Sequence, residues 1–195
     1  MSVLNTLKYH GRKVVLPVDK MKALMQPLLA NENITHIVDF GAGTLFWSQW
    51  FARELGLNVL AVDTAYAQVA PSDDPGIALY TNIADILNSP IVKQHKCALF
   101  ACDVIHHLPV DFWQEVLAQM VALFDVLIIK DIDANRKLGN FLNKMHDRII
   151  NGEKINNVYP HDIKNTLQQA GYAVQATYLP RLWYPHFMVM GQKLS

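Results

Sequence analysis

The sequence is poor in cysteine and in charge, and it has no long uninterrupted apolar run. Only two cysteines occur among its 195 residues, Cys97 and Cys102. They form neither a CxxC pair nor a zinc set with histidines at suitable spacing. A disulfide framework is therefore not expected, and a reducing cytoplasm is the compartment that fits. Charged residues make up 17% of the chain, below the usual quarter. Lys+Arg and Asp+Glu both number 17, so the net charge is zero. Nucleic-acid binders draw much of their affinity from neutralising phosphates, and a chain without basic excess is a poor fit to that class. The apolar runs are broken at Asp103, Asp125 and Asp131, and none reaches the roughly 18 residues of a membrane span. Residues 1–13 include Lys and Arg but no apolar stretch of the kind a secretory signal needs. No metal-ligand set is visible, so no metal is expected.

What is present is a globular composition. Hydrophobic residues make up 51% of the chain and mean hydropathy is +0.10. That excludes global disorder. A chain of this length forms one domain and buries roughly 70% of its unfolded surface. No internal repeat or low-complexity tract occurs. Short apolar runs at His36 to Phe40, Asn58 to Val62, Ile77 to Tyr80, Cys97 to Ala101 and Asp125 to Lys130 read as strands. Helical stretches are expected at Leu45 to Leu55, Ile83 to Leu87, Asp111 to Leu123 and Leu138 to Ile150. In the third, Phe112, Val116, Met120 and Leu123 make one stripe behind Pro109. The alternation predicts βα units in a doubly wound α/β sheet with helices on both faces. An N-terminal helix over Asp19 to Ala30 would turn Leu24, Leu28 and Leu29 inward. The chain closes with a helix over His161 to Ala170, stopped at Gly171, and two strands, Tyr172 to Leu179 and Phe187 to Lys193.

The chemistry concentrates in ITHIVDFGAGTLFWSQWF, Ile34 to Phe51. A strand ends at Asp39, and Gly41, Ala42 and Gly43 make a tight turn into a helix. Glycine is needed where the backbone takes positive φ or approaches a ligand closely. Amides at the helix start would face that ligand. Twenty positions after Gly43, at the end of the next strand, stands Asp63, followed by Thr64. An acid there accepts from the two ribose hydroxyls of an adenosine. A dinucleotide fingerprint would place glycine where Phe46 stands, and a pyrophosphate would not welcome Asp39. A carboxylate at that point suits the cationic amino group of a methionine moiety.

These residues together resemble the class I S-adenosylmethionine-dependent methyltransferases. Asp39-Phe40-Gly41-Ala42-Gly43 matches the family's first motif, and Asp63 matches its ribose-binding acid. Asn82-Ile83 falls where the family places an acid and an apolar residue beside adenine. Cys102 and Asp103, followed by His106 and His107, resemble the segment after strand four. The resemblance covers about residues 30 to 195 and implies a Rossmann-like sheet of seven strands, the last antiparallel. Residues 1–30 would be a helical lead-in and 31–195 the methyltransferase domain. Lys8 to Arg12 resembles the lead-in of small bacterial members, and Ile128 to Asp131 and Tyr184 to His186 fit the same subgroup. Two departures stand out: Leu45 replaces a frequent third glycine, and Asn82 replaces the acid near adenine.

The resemblance implies S-adenosylmethionine as cofactor and direct SN2 methyl transfer, so the protein mainly has to align the acceptor. For a hydroxyl acceptor, His106, His107 or Asp131 is the candidate base. Asp103 could touch cofactor or acceptor. A helix carrying Phe141, Leu142, Met145, His146, Asp147 and Ile149 could lid the acceptor pocket. Trp47 and Trp50, at i and i+3, read as core. Neutral charge favours a small-molecule or biosynthetic-intermediate acceptor. The rival readings are a catalytically silent cofactor-binding protein, a nicotinamide-dependent oxidoreductase and an RNA methyltransferase. A basic stripe of Lys8, Arg12, Lys13, Lys130, Arg136, Lys137 and Arg181 on one face would favour the last. The oligomeric state is not legible.

Overall fold

The computed structural model describes residues 16–68, 72–146, 148 and 155–194. In chain order the elements are α1 (Val18–Asn31), β1 (His36–Phe40), α2 (Phe46–Leu55), β2 (Asn58–Val62), β3 (Ile77–Tyr80), α3 (Ile83–Leu87), α4 (Ile91–Gln94), β4 (Cys97–Cys102), α5 (Val110–Leu123), β5 (Val126–Ile132), α6 (Lys137–His146), α7 (Pro160–Gln169), β6 (Tyr172–Tyr178) and β7 (His186–Lys193). Short 3₁₀ turns occupy Thr64–Gln68 and Ile105–His107. The Lys8 to Lys13 segment, Asp147 and Ile149 lie outside the described residues.

The strands form one seven-stranded sheet in the order β3-β2-β1-β4-β5-β7-β6. β1 to β5 pair in parallel, and β7 runs antiparallel to both β5 and β6. This is the expected Rossmann-like sheet with its antiparallel last strand. Strand order reverses between β1 and β4. In such sheets the crevice beyond the C-terminal ends of the strands at that point receives the ligand.

Side-chain alternation divides the core in two. Ile37, Ala98, Phe100 and Ile128 pack with Met21 and Met25 of α1 and with Trp47, Trp50 and Phe51 of α2. Val38, Leu99, Ala101 and Leu127 pack on the other face with Ile86 of α3, Val116 and Met120 of α5 and Leu167 of α7. Burial on both faces is why these strands read as unbroken apolar runs. Trp47 and Trp50 are buried, as read, and Phe51 meets Phe100 edge-on at 5.2 Å.

Two helix faces differ from the expectation. On α5, Phe112 is exposed, and the buried stripe is Trp113, Val116, Leu117 and Met120. Two apolar phases compete in that sequence, and the one carrying Trp113 buries more area. On α1, Met21, Met25 and Leu29 are buried while Leu24 and Leu28 are half-buried. Methionine is unbranched and fills irregular gaps against the sheet.

Candidate active site

The turn after β1 enters the left-handed region at three positions in five. Gly41 has φ +74° and Gly43 φ +51°, and Leu45, the residue before α2, has φ +62°. The last value gives the physical reason a third glycine suits this site, since a left-handed leucine costs roughly 1 kcal/mol. Gly41 is also sterically required. A Cβ added there would lie 2.5 Å from Cγ2 of Val104, in the segment that follows β4.

The loop is tied to the end of β2. The amides of Gly41 and Ala42 donate to the Val62 carbonyl at 2.8 and 3.1 Å, and the Gly43 amide donates to Oδ2 of Asp63 at 2.9 Å. Tyr66 Oη donates to the Gly43 carbonyl at 2.9 Å. These three amides therefore serve the loop itself. The amides expected to face the ligand are those at the start of α2, which these three precede. Asp63 also accepts from the Ala65 amide at 2.9 Å, and Thr64 is exposed at the start of the 3₁₀ turn. Asn82 caps α3, its side chain accepting from the Ala84 amide at 2.9 Å, while Ile83 is buried beneath it.

Asp39 is 2% exposed and faces α2, where Ser48 Oγ donates to its Oδ2 at 2.5 Å. Ser48 escaped the sequence reading. Its signal was a lone hydroxyl among aromatics on the helix face turned to the sheet.

A cleft of about 260 Å³ opens at the β1/β4 edge. Asp39, Gly41, Ala42, Cys102, Asp103, His106 and His107 all line it, as do Trp47, Ile132, Asn143, Tyr184 and His186. The structure thus gathers residues from both predicted motifs around one space. Gly43 and Asp63 stand beside it through the loop, and Asn82 and Ile83 sit beyond the end of β3. A larger groove of about 500 Å³ lies along α1 and α2, but its charged side chains include the ion pair Lys22–Glu54 and no acid–base pair like the one below.

Two charge arrangements lie at the ends of β4 and β5, the first part-buried and the second buried. Asp103 turns out of β4 at φ +54° and meets Lys130 Nζ at 2.5 and 2.7 Å. Lys130 is fully buried, so it is not part of a surface stripe. Burial pushes the Asp103 carboxyl up, but Lys130, His186 and His106 outweigh that and hold it down at about 2. The second arrangement joins His106 Nδ1 to Oδ1 of Asp131 at 2.5 Å. Asp131 also accepts from the Ile132 amide at 2.7 Å and the His106 amide at 3.3 Å. In the tautomer that donates from Nδ1 to this carboxylate, the ring's lone pair is on Nε2. His106 is buried, whereas His107 beside it is exposed. One donor atom each from Asp103, His106 and Asp131 lies within 4.8 Å of the others, a spacing that could hold a cation. Lys130 already supplies positive charge to Asp103, and His106 already engages Asp131, so the set reads as a paired network.

The sequence profile of the FtsJ-like methyltransferase family matches residues 18–173. The chain belongs to that family. It is therefore an S-adenosylmethionine-dependent methyltransferase. Among solved structures, the chain is similar to a SAM-dependent methyltransferase from Archaeoglobus fulgidus, with a TM-score of 0.68, 13% identity, and 93% of this chain and 97% of that one covered. A magnesium protoporphyrin IX methyltransferase from Synechocystis PCC 6803 with bound SAH gives 0.60 and 16% identity, covering 100% and 89%. A DUF574 family protein from Streptomyces avermitilis gives 0.64 and 13%, covering 90% and 82%. At such identities the likeness is one of fold. No curated protein sequence matches the chain. No helix among the described residues is long and apolar enough to cross a membrane.

The site fits the cofactor at the glycine turn. Gly41 leaves no room for a side chain, and Asp39, next to last in β1, is buried at the cleft wall, where it accepts from Ser48. When bound, S-adenosylmethionine supplies a sulfonium-activated methyl group.

Proposed function

We propose that this methyltransferase acts on a hydroxyl group of a small molecule or biosynthetic intermediate, in the cytoplasm, with His106 as the base. The observation that carries this reading is the buried His106–Asp131 pair at 2.5 Å in the wall of the cleft that also holds Asp39 and Gly41. Asp131 holds the ring of His106 through Nδ1, and Nε2 is the nitrogen we assign to take the acceptor's proton during direct transfer. His107 stands at the cleft's rim and orients the acceptor. Asp39, Gly41, Ala42 and Gly43 cradle the methionine end of the cofactor, and Asp63 and Thr64 take the ribose. Asn82 and Ile83 flank the adenine, Asn82 through the capacity left after capping α3. Cys102 and Asp103 close the cofactor side of the cleft. A narrow cleft and a neutral chain support a small acceptor. A structural neighbour named as a magnesium protoporphyrin IX methyltransferase also supports a non-polymeric acceptor.

The test is transfer of radiolabelled methyl from S-adenosylmethionine to a panel of phenols and alcohols, with total RNA in parallel. The expected result is label in an organic-soluble product, with His106→Ala slower by about 10²-fold or more and its affinity for S-adenosylhomocysteine unchanged. Label in RNA alone, or an undiminished rate in His106→Ala, would overturn the reading.

A further inference from the structure

Most of the large apolar side chains exposed among the described residues gather on one face. Leu138, Phe141 and Met145, at i, i+3 and i+7 of α6, are 74%, 58% and 44% exposed. Leu182 and Trp183, in the turn between β6 and β7, are 59% and 56% exposed. The two segments touch. A Cβ on Gly139 would lie 2.7 Å from the Trp183 carbonyl, so glycine lets the helix lie against the turn. Arg136, just ahead of α6, stacks its guanidinium over the ring of Tyr178 at 5.0 Å.

The charge on this face is one-sided. Arg136, Lys137 and Arg181 are exposed beside the apolar tips. No acidic residue occurs from Ala134 to His146 or from Leu179 to Phe187. A chain of zero net charge thus carries a local basic and apolar surface. Aliphatic tips, an exposed tryptophan and flanking cations are the composition of a helix that lies in a lipid interface. Two copies meeting through this face would oppose like charges. A single-stranded RNA would find cations here but would waste the aliphatic side chains, since base recognition uses stacking surfaces.

We propose that the outer face of α6 and the Leu182–Trp183 turn dock on an anionic lipid surface. The occupant is the bilayer itself, with the apolar tips among the acyl chains and Arg136, Lys137 and Arg181 at the headgroups. Asn143 and Tyr184, on the inner side of the same segments, line the cleft. Docking would therefore set the cleft about one helix diameter, roughly 10 Å, from the lipid. The inference does not rest on the acceptor assigned above.

The test is sedimentation of the full chain with vesicles of phosphatidylglycerol and phosphatidylcholine, against vesicles of phosphatidylcholine alone. The expected result is pelleting with the anionic vesicles only. Arg136→Gln and Lys137→Gln should each weaken it roughly fivefold, and high salt should release the protein. Leu138→Glu/Phe141→Glu/Trp183→Glu should abolish it while wild-type affinity for S-adenosylmethionine shows that the variant is folded. No pelleting with anionic vesicles, or pelleting unchanged by these substitutions, overturns the proposal. So does a dimer in light scattering that Phe141→Glu dissociates, or an RNA oligonucleotide that binds this face in place of lipid.

Discussion

At the scale of single residues, the ion pair between Asp103 and Lys130 has the sharpest consequences. Lys130 has no exposure to water, so its ammonium depends on the two oxygens at 2.5 and 2.7 Å. Removing the carboxylate leaves a buried unpaired charge. Asp103→Asn should destabilise the protein by about 3–5 kcal/mol, read by urea unfolding. Adding Lys130→Met to that variant should recover part of the loss, because the uncompensated charge leaves with it. The pH dependence has a definite sign. The Asp103 carboxyl is held at about 2 against an ordinary 3.8. The folded state therefore binds its proton less readily than the unfolded one, and the contribution is complete above about 4. It is lost as pH falls toward 2, so the melting temperature of wild type should drop across that window more steeply than that of Asp103→Asn. Asp131→Asn keeps the shape of the His106 pair but removes its charge. It should lower turnover by at least about 10²-fold with cofactor affinity unchanged, in the same labelled-methyl assay.

At the scale of elements, the glycine turn is the part most legible from sequence. Asp39, Gly41, Gly43 and the spacing to Asp63 mark the strand end, the turn and the neighbouring strand in the sequence itself. The reason is that left-handed backbone and close approach to Val104 restrict which residues can stand there. Gly41→Ala forces both a strained φ and a 2.5 Å approach to Cγ2 of Val104, a side chain wedged beside the cleft. It should cost about 1–3 kcal/mol by urea unfolding and weaken cofactor binding by moving the loop. Helix faces were less legible. The stripe chosen on α5 placed Phe112 inward, yet Trp113 and Leu117 occupy the core. A sequence of mixed apolar residues supports two helical phases, and only the sheet it packs on selects one. The inward methionines of α1 hid for a similar reason: an adaptable side chain carries a weak periodic signal. The buried partners of the cleft's two acids were hidden more deeply. Lys130 and Asp103 lie 27 positions apart, and Ser48 and Asp39 nine, so their contacts arise from strand order and not from local pattern.

At the scale of the whole molecule, the fold follows from a simple alternation. Runs apolar on both faces became a parallel sheet, and the closing helix and two strands supplied its antiparallel edge. The strand-order reversal between β1 and β4 then decides where two motifs separated by some sixty residues meet. Ligand binding there should stabilise the whole domain. At S-adenosylhomocysteine a hundredfold above its dissociation constant, linkage adds about 2.7 kcal/mol. For a domain of this size that raises the melting temperature by roughly 5–10 °C, readable by scanning calorimetry.

The most direct test of the account is calorimetric titration of S-adenosylmethionine into wild type, Asp39→Ala and His106→Ala. The account predicts saturable binding to wild type, binding at least roughly tenfold weaker in Asp39→Ala because a charged contact is lost, and wild-type affinity in His106→Ala. Unchanged affinity in a folded Asp39→Ala would contradict it, since the cofactor would then lie away from the turn after β1.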